Sequence, residues 1–174
     1  MPEDMPKGLL GGPLLYNSYF MAFGLKGNEM VLDFGCGGGV GSRCLANLLD
    51  EGGPVTCVDI SHYWIAKARK RLSKYSNVEC EAGDFRELDI PDSSFDIISG
   101  IHVVHDMTPE DRQDIVKTLS LKLQAGGLLL IREPVKAHGM PVEEIQTLLP
   151  DAGLKEIEHK ETKSEYTGIY QKSS

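Results

Sequence analysis

Nine residues, Val31 to Gly39 (VLDFGCGGG), place an apolar run, an acidic side chain and three alternate glycines, Gly35, Gly37 and Gly39, at one point of the chain. A strand running into a carboxylate and a turn without side chains is how a parallel sheet lets a nucleotide-like ligand lie against bare backbone. The spacing is not that of a dinucleotide turn. GxGxxG needs its third glycine at residue 40 or 42, which are Val40 and Ser42. Two further carboxylates follow apolar runs, Asp59 in CVDIS and Asp84 in AGDF. At the end of a second strand, Asp59 can accept two hydrogen bonds from ribose hydroxyls. The same residue suits a helix N-terminus, although Ser61 already offers a cap, and Asp84 suits a turn. Beyond a fourth apolar run, FDIISGIHVVHD brings His102, His105 and Asp106 together in sequence. Histidine takes up a proton near neutral pH, so His105 and His102 are candidate general bases, and structural histidines are the plain alternative. Arg132 and Glu133 emerge from a fifth run, where they either meet a substrate or pair with each other.

Regular elements must deliver these groups to one place. Apolar runs of strand length occur at Met30 to Phe34, Val55 to Asp59, Asn77 to Glu81, Asp96 to Ser99 and Gly127 to Arg132. Helical spacing lies between them: Gly39 to Leu49, a helix capped by Ser61 with Ile65, Ala68 and Leu72 on one face, and one opened by TPEDR at Thr108 and ending near Gly126. Strand and helix in alternation imply βαβ units and a parallel sheet. The tail breaks the alternation. A helix over Pro141 to Leu149 leads through the turn DAGL to Lys155–Lys163 and Glu165–Gln171, too close for a crossover helix and so paired as an antiparallel hairpin. Ahead of the first strand, residues 1 to 13 are rich in Pro and Gly and read as an irregular arm, and Leu14 to Phe23 have helical spacing.

The 174 residues fit one domain, 1–174, with 41% hydrophobic and 25% charged residues. A net charge of -8 argues against unassisted binding to nucleic acid or an anionic membrane. The basic run KARKRLSK, Lys67 to Lys74, has the spacing of a solvated helix face. Cys36, Cys44, Cys57 and Cys80 stand singly, without CxxC or a histidine at metal spacing, so reduced thiols in the cytoplasm and no metal are expected. The N-terminus lacks the basic start and apolar run of a signal peptide, and no stretch is long and apolar enough to span a membrane.

From about Tyr16 to the end the chain resembles class I S-adenosylmethionine-dependent methyltransferases of the small-molecule type, through DxGxGxG at Asp33 to Gly39, Asp59, Asp84 and the Phe95 to Asp106 segment. The resemblance implies a Rossmann-like three-layer α/β sandwich, its seven-stranded, mostly parallel sheet closed by the C-terminal hairpin with the last strand inserted antiparallel. It also implies S-adenosyl-L-methionine as cofactor and S-adenosyl-L-homocysteine as product. The Gly35 to Gly39 backbone would then face the methionine part, with Asp33 orienting the turn or reaching the ammonium through water. Asp59 would hold the ribose, Ile60 would lie against adenine, Asp84 would bond the adenine amino group and Phe85 would pack beside the ring. The backbone of Ser99, Gly100 and Ile101 would accept from the ammonium, and His105 stands where many such enzymes carry histidine. Residues 14–26 would form a lid helix, bringing Tyr16 and Tyr19 to the cofactor. Methyl transfer by in-line displacement needs chiefly proximity and orientation, so a base is required only for a protonated acceptor. No motif names the acceptor, which is a small molecule attacking through oxygen, nitrogen, carbon, a thiol or a metalloid. The sequence also admits a cofactor-binding module without catalysis of its own. It disfavours a nicotinamide-dependent oxidoreductase, for want of the third dinucleotide glycine.

Overall fold

The structure is a computed structural model and describes residues 16, 19–21, 24–49, 52–136 and 138–173. Its elements run β1 (Val31–Phe34), α1 (Val40–Leu48), β2 (Val55–Asp59), α2 (His62–Leu72), β3 (Val78–Ala82) and β4 (Phe95–Ile101). A 3-10 turn (Val104–Asp106), α3 (Pro109–Lys122), β5 (Leu123–Pro134), α4 (Val142–Asp151), β6 (Leu154–Glu161) and β7 (Glu165–Lys172) follow. The local signals act as expected. Ser61 caps α2 by accepting from the Trp64 amide at 3.4 Å, and Thr108 caps α3 from the Asp111 amide at 3.2 Å with Pro109 in the first turn.

The seven strands lie in the order β3-β2-β1-β4-β5-β7-β6, with β1 to β5 parallel and β7 antiparallel to both neighbours. Alternation along each strand sends side chains to opposite faces. From β1, Leu32 and Phe34 pack with Ile115, Val116 and Leu119 of α3 and Ile145 and Leu149 of α4. Val31 packs on the other face with Leu45 of α1, Ile65, Ala68 and Leu72 of α2, and Phe20. Each large apolar side chain buried in this way contributes roughly 1.5–3 kcal/mol, so the two layers hold the strands rigidly in register. The chain leaves β1 toward β2 and β3, then returns to β4 on the other side of β1. That reversal opens a crevice beyond the carboxyl ends of β1 and β4.

Two boundaries differ from the sequence reading. The helix expected to end near Gly126 stops at Lys122, because Leu123 already takes extended angles and pairs with Phe95. Gly126, at φ 76°, falls in an irregular stretch of β5 between the pairs Phe95–Leu123 and Ile97–Leu128. At the N-terminus, Tyr16 and Tyr19–Met21 are helical, but Gly24, Leu25 and Lys26 of the expected 14–26 helix are not, Gly24 turning away at φ 60°. The irregular arm expected over residues 1–13 lies outside the described residues.

Candidate active site

A pocket of about 990 Å³ opens beyond the carboxyl ends of β1 to β4. Gly35, Gly37, Asp59, Ile60, Asp84, Phe85, Ile101, His102 and Tyr16, all expected site residues, line it. The three glycines of the turn are left-handed, at φ 68°, 51° and 75°, a conformation costly to any residue with a Cβ. Their surroundings differ. A Cβ on Gly35 would lie 2.7 Å from Val103 Cβ, so Gly35 is needed for close packing as well. A Cβ on Gly39 would press on Leu72 and Ala68 of α2, and Gly39 itself does not line the pocket. A Cβ on Gly37 would meet nothing within 4 Å, so this backbone faces open space.

Asp59 secures that exposed backbone. Its Oδ2 accepts from the Gly37 amide at 2.9 Å and its Oδ1 from the Ser61 amide at 2.8 Å, joining the glycine turn to the start of α2. Gly35 and Cys36 donate to the Val58 carbonyl at 2.9 and 3.0 Å, tying the turn to β2 as well. Ile60 is 74% exposed at the rim, while Phe85 is buried against Phe34, ring centroids 5.4 Å apart, and shows the pocket only an edge. Asp84 accepts from Arg86 Nε at 2.9 Å, and Arg86 continues to Asp111 at 2.7 Å. The guanidinium is the main cause holding the Asp84 carboxyl below its ordinary range.

Six expected residues stand behind the lining. Asp33 is 5% exposed and receives the Ser42 hydroxyl at 2.6 Å; burial foremost, with the charge of Asp59, pushes its pKa up to about 6. It lies under the turn instead of in the pocket because it alternates with Leu32 and Phe34 toward α1. Gly39 is wedged against α2, as above. Ser99 and Gly100 are buried in β4, and the Ser99 Oγ has no hydrogen-bond partner among the described residues. Tyr19 packs on Phe20 at 5.3 Å, and burial raises its phenol pKa. His105, finally, is not among the lining residues. Its Nδ1 meets Glu133 Oε2 at 2.7 Å and its Nε2 meets Asp106 at 3.2 Å.

Arg132 and Glu133 do not pair with each other, since neighbours on a strand point to opposite faces. Glu133 is fully buried and accepts from the amides of Val103 at 3.2 Å, Val104 at 2.9 Å and His105 at 3.4 Å. Arg112 of α3 donates to the carbonyls of Val104 at 3.2 Å and His105 at 2.7 Å, and to Glu144 at 2.7 Å. The 3-10 turn is thus held at both ends, and with it Val103, Asp106 and Met107 of the pocket wall. Arg132 instead pairs with Glu165 at the start of β7, whose other oxygen meets His102 Nε2 at 2.9 Å. The sequence reading missed Glu165 as well as Trp64, Lys67 and Arg71, which line the mouth from one face of α2. For the α2 set the i, i+3, i+7 spacing was the available signal. The basic run is therefore only partly a solvated face: Arg71 donates to the Gly38 carbonyl and Arg69 to the Cys80 carbonyl at 2.8 Å.

This layout can cradle an adenosine-bearing ligand: open backbone at one end, carboxylates and apolar edges at the other, and His102, joined to Glu165 behind it, on the remaining wall. Residues 31–127, more than half of the chain, match the family model described as a methyltransferase domain. A carboxy-S-adenosyl-L-methionine synthase of Shewanella baltica is 26% identical over 131 residues, covering 73% of this chain and 52% of that protein. The chain thus spans about half the length of the curated relatives it matches. Among solved structures, the [4+2]-cyclase SpnF superposes with TM-score 0.81 at 17% identity, covering 93% of this chain and 82% of its own. The N-methyltransferase NodS of Bradyrhizobium japonicum, in complex with S-adenosyl-L-homocysteine, superposes with TM-score 0.79 at 16% identity, covering 97% and 91%. Such low identities speak for the fold alone, but the family match spans β1 to the start of β5 and includes the glycine turn, Asp59 and Asp84: the chain belongs to the methyltransferase domain family.

Proposed function

We propose that the pocket binds S-adenosyl-L-methionine and that the protein transfers its methyl group to a small-molecule acceptor, leaving S-adenosyl-L-homocysteine. The observation that carries this reading is the Gly37 backbone, left-handed, open to the pocket and fixed through its amide by Asp59. When bound, the cofactor supplies a methyl group activated on a sulfonium. This chain's residues bind and orient: the glycine turn for the methionine part, Asp59 with spare lone pairs for ribose, Ile60, Asp84 and Phe85 for adenine. Asp33 adds negative charge beneath the turn, and Tyr16, placed over Gly41 and next to Asp33, covers it from the N-terminal side. Tyr19, Gly39, Ser99 and Gly100 support this wall from behind, and Ile101 forms its floor. His102 and not His105 meets the acceptor.

Acidic overall charge favours a small neutral or cationic acceptor over nucleic acid, and four cysteines outside any disulfide fit a reducing cytoplasm. Among the described residues no helix is long and apolar enough to cross a membrane. The cyclase that shares this fold favours a second reading, a protein that holds the cofactor without transferring its methyl group. Calorimetry with S-adenosyl-L-methionine, S-adenosyl-L-homocysteine and NADH tests the pocket. The first two should bind and NADH should not, and Asp59→Ala should abolish binding while the protein stays folded. Tight NADH binding would overturn the cofactor assignment. Label transfer from methyl-tritiated cofactor to a small-molecule extract separates the two readings.

A further inference from the structure

Lys67 and Arg71 of α2 border the pocket without meeting a carboxylate. Among the described residues neither forms an ion pair, whereas Arg86, the other lysine or arginine of the lining, is held by Asp84 and Asp111. In a chain of net charge -8, two such cations facing a cavity favour an anion from outside. Four residues apart on a helix, they share one face with Trp64. Lys67 Nζ rests over the rings of Tyr63 and Trp64, 4.3 and 4.6 Å from their centroids, and Arg71 donates to the Gly38 carbonyl. Gly38 leaves room for them: a Cβ there would lie 3.0 Å from the Arg71 guanidinium and 3.5 Å from the Trp64 ring. We propose that Lys67 and Arg71 form an anion subsite at the ribose edge of the pocket, which admits a second class of ligand, adenosine phosphorylated at its 2′ or 3′ position, in competition with S-adenosyl-L-methionine.

The match is one of charge and of donors. A phosphate monoester carries roughly two negative charges at neutral pH and three strong acceptor oxygens. Arg71 has five N–H donors and gives one to Gly38, so the guanidinium can still meet two phosphate oxygens side by side. Lys67 adds a point charge, which the aromatic faces attract without neutralising it. Asp59 sets the location. Its oxygens accept from the Gly37 and Ser61 amides, and Ser61 caps the helix that carries both cations. A ribose held at Asp59 by one hydroxyl therefore has the α2 wall beside its other, esterified position. Asp59 repels a phosphate, but two cations outnumber it and its two amide bonds offset part of its charge.

The ribose placement rests on the cofactor reading, whereas the anion subsite does not. Trp64 is the chain's one tryptophan and touches Lys67, so its fluorescence reports on the subsite directly. Inorganic phosphate titrated at low salt should change the emission of the wild type and leave that of Lys67→Met/Arg71→Met nearly constant. Calorimetry then compares adenosine with its 2′-, 3′- and 5′-monophosphates. The 2′ or 3′ ester should bind about tenfold tighter than adenosine and tighter than the 5′ ester, and S-adenosyl-L-homocysteine should displace it. In the double variant that advantage should vanish while adenosine affinity holds. Emission unmoved by phosphate, or an ester advantage that is absent, shared by the 5′ ester or kept in the double variant, would overturn the proposal. Should the double variant not fold, Lys67→Met alone, which breaks no hydrogen bond among the described residues, decides it. Failure of S-adenosyl-L-homocysteine to bind would remove the cofactor reading, while the phosphate and ester affinities are read without it.

Discussion

Asp33 offers the sharpest quantitative test, because burial sets it against its own charge. Its pKa moves from 3.8 to about 6, chiefly through desolvation. A carboxyl whose folded pKa is raised binds more protons in the folded state, so stability falls as pH rises between those two values and stays low above them. At about 1.36 kcal/mol for each pH unit, the ionised carboxylate costs the fold about 3 kcal/mol at pH 8. Asp33→Asn removes the charge and keeps an oxygen to accept from Ser42, at the cost of a buried amide that needs partners. We therefore expect a net gain of about 1–3 kcal/mol at pH 8, shrinking toward zero near pH 4. Urea denaturation followed by circular dichroism at several pH values measures it. The same substitution should weaken S-adenosyl-L-methionine more than S-adenosyl-L-homocysteine, since only the former carries a sulfonium charge to attract. A variant less stable than wild type at pH 8, or a gain equal at pH 4 and pH 8, would refute the reasoning.

Gly35→Ala and Gly37→Ala should separate packing from binding. Both force a methyl group into the left-handed region, but only the first meets Val103. Gly35→Ala should lower the melting temperature markedly, whereas Gly37→Ala should cost about 1–2 kcal/mol of stability and chiefly lose cofactor affinity by calorimetry. Glu133→Ala strips the acceptor from the amides of Val103, Val104 and His105, and thermal unfolding should show a loss of about 3–5 kcal/mol. Glu133→Gln, which keeps a carbonyl oxygen there, should lose less.

How much of this was legible in the chain depended on sequence distance. Asp33, Gly35, Gly37, Asp59 and Asp84 declared themselves because they stand at the ends of three successive apolar runs, and strand ends converge in any parallel sheet. The hairpin was legible from the short step between its strands. What alternation would do to single residues was harder to read: Asp33 went under the turn, and Arg132 and Glu133 went to opposite faces. His105 was favoured by its position in a familiar segment, but a buried carboxylate from β5 claims its ring. Nothing near residue 102 in sequence announces Glu165, since its approach depends on β7 lying beside β5.

That asymmetry bears on what the fold can say about chemistry. The cofactor wall we propose is formed by β1 to β3 and their turns, which lie within the family match. A [4+2]-cyclase and an N-methyltransferase share this fold with the chain, so the fold alone does not choose between them. The acceptor wall we propose is the end of β4, the 3-10 turn clamped by Glu133 and Arg112, and the start of β7, joined across the sheet by His102, Glu165 and Arg132. If reaction type is written anywhere in this molecule, it is there.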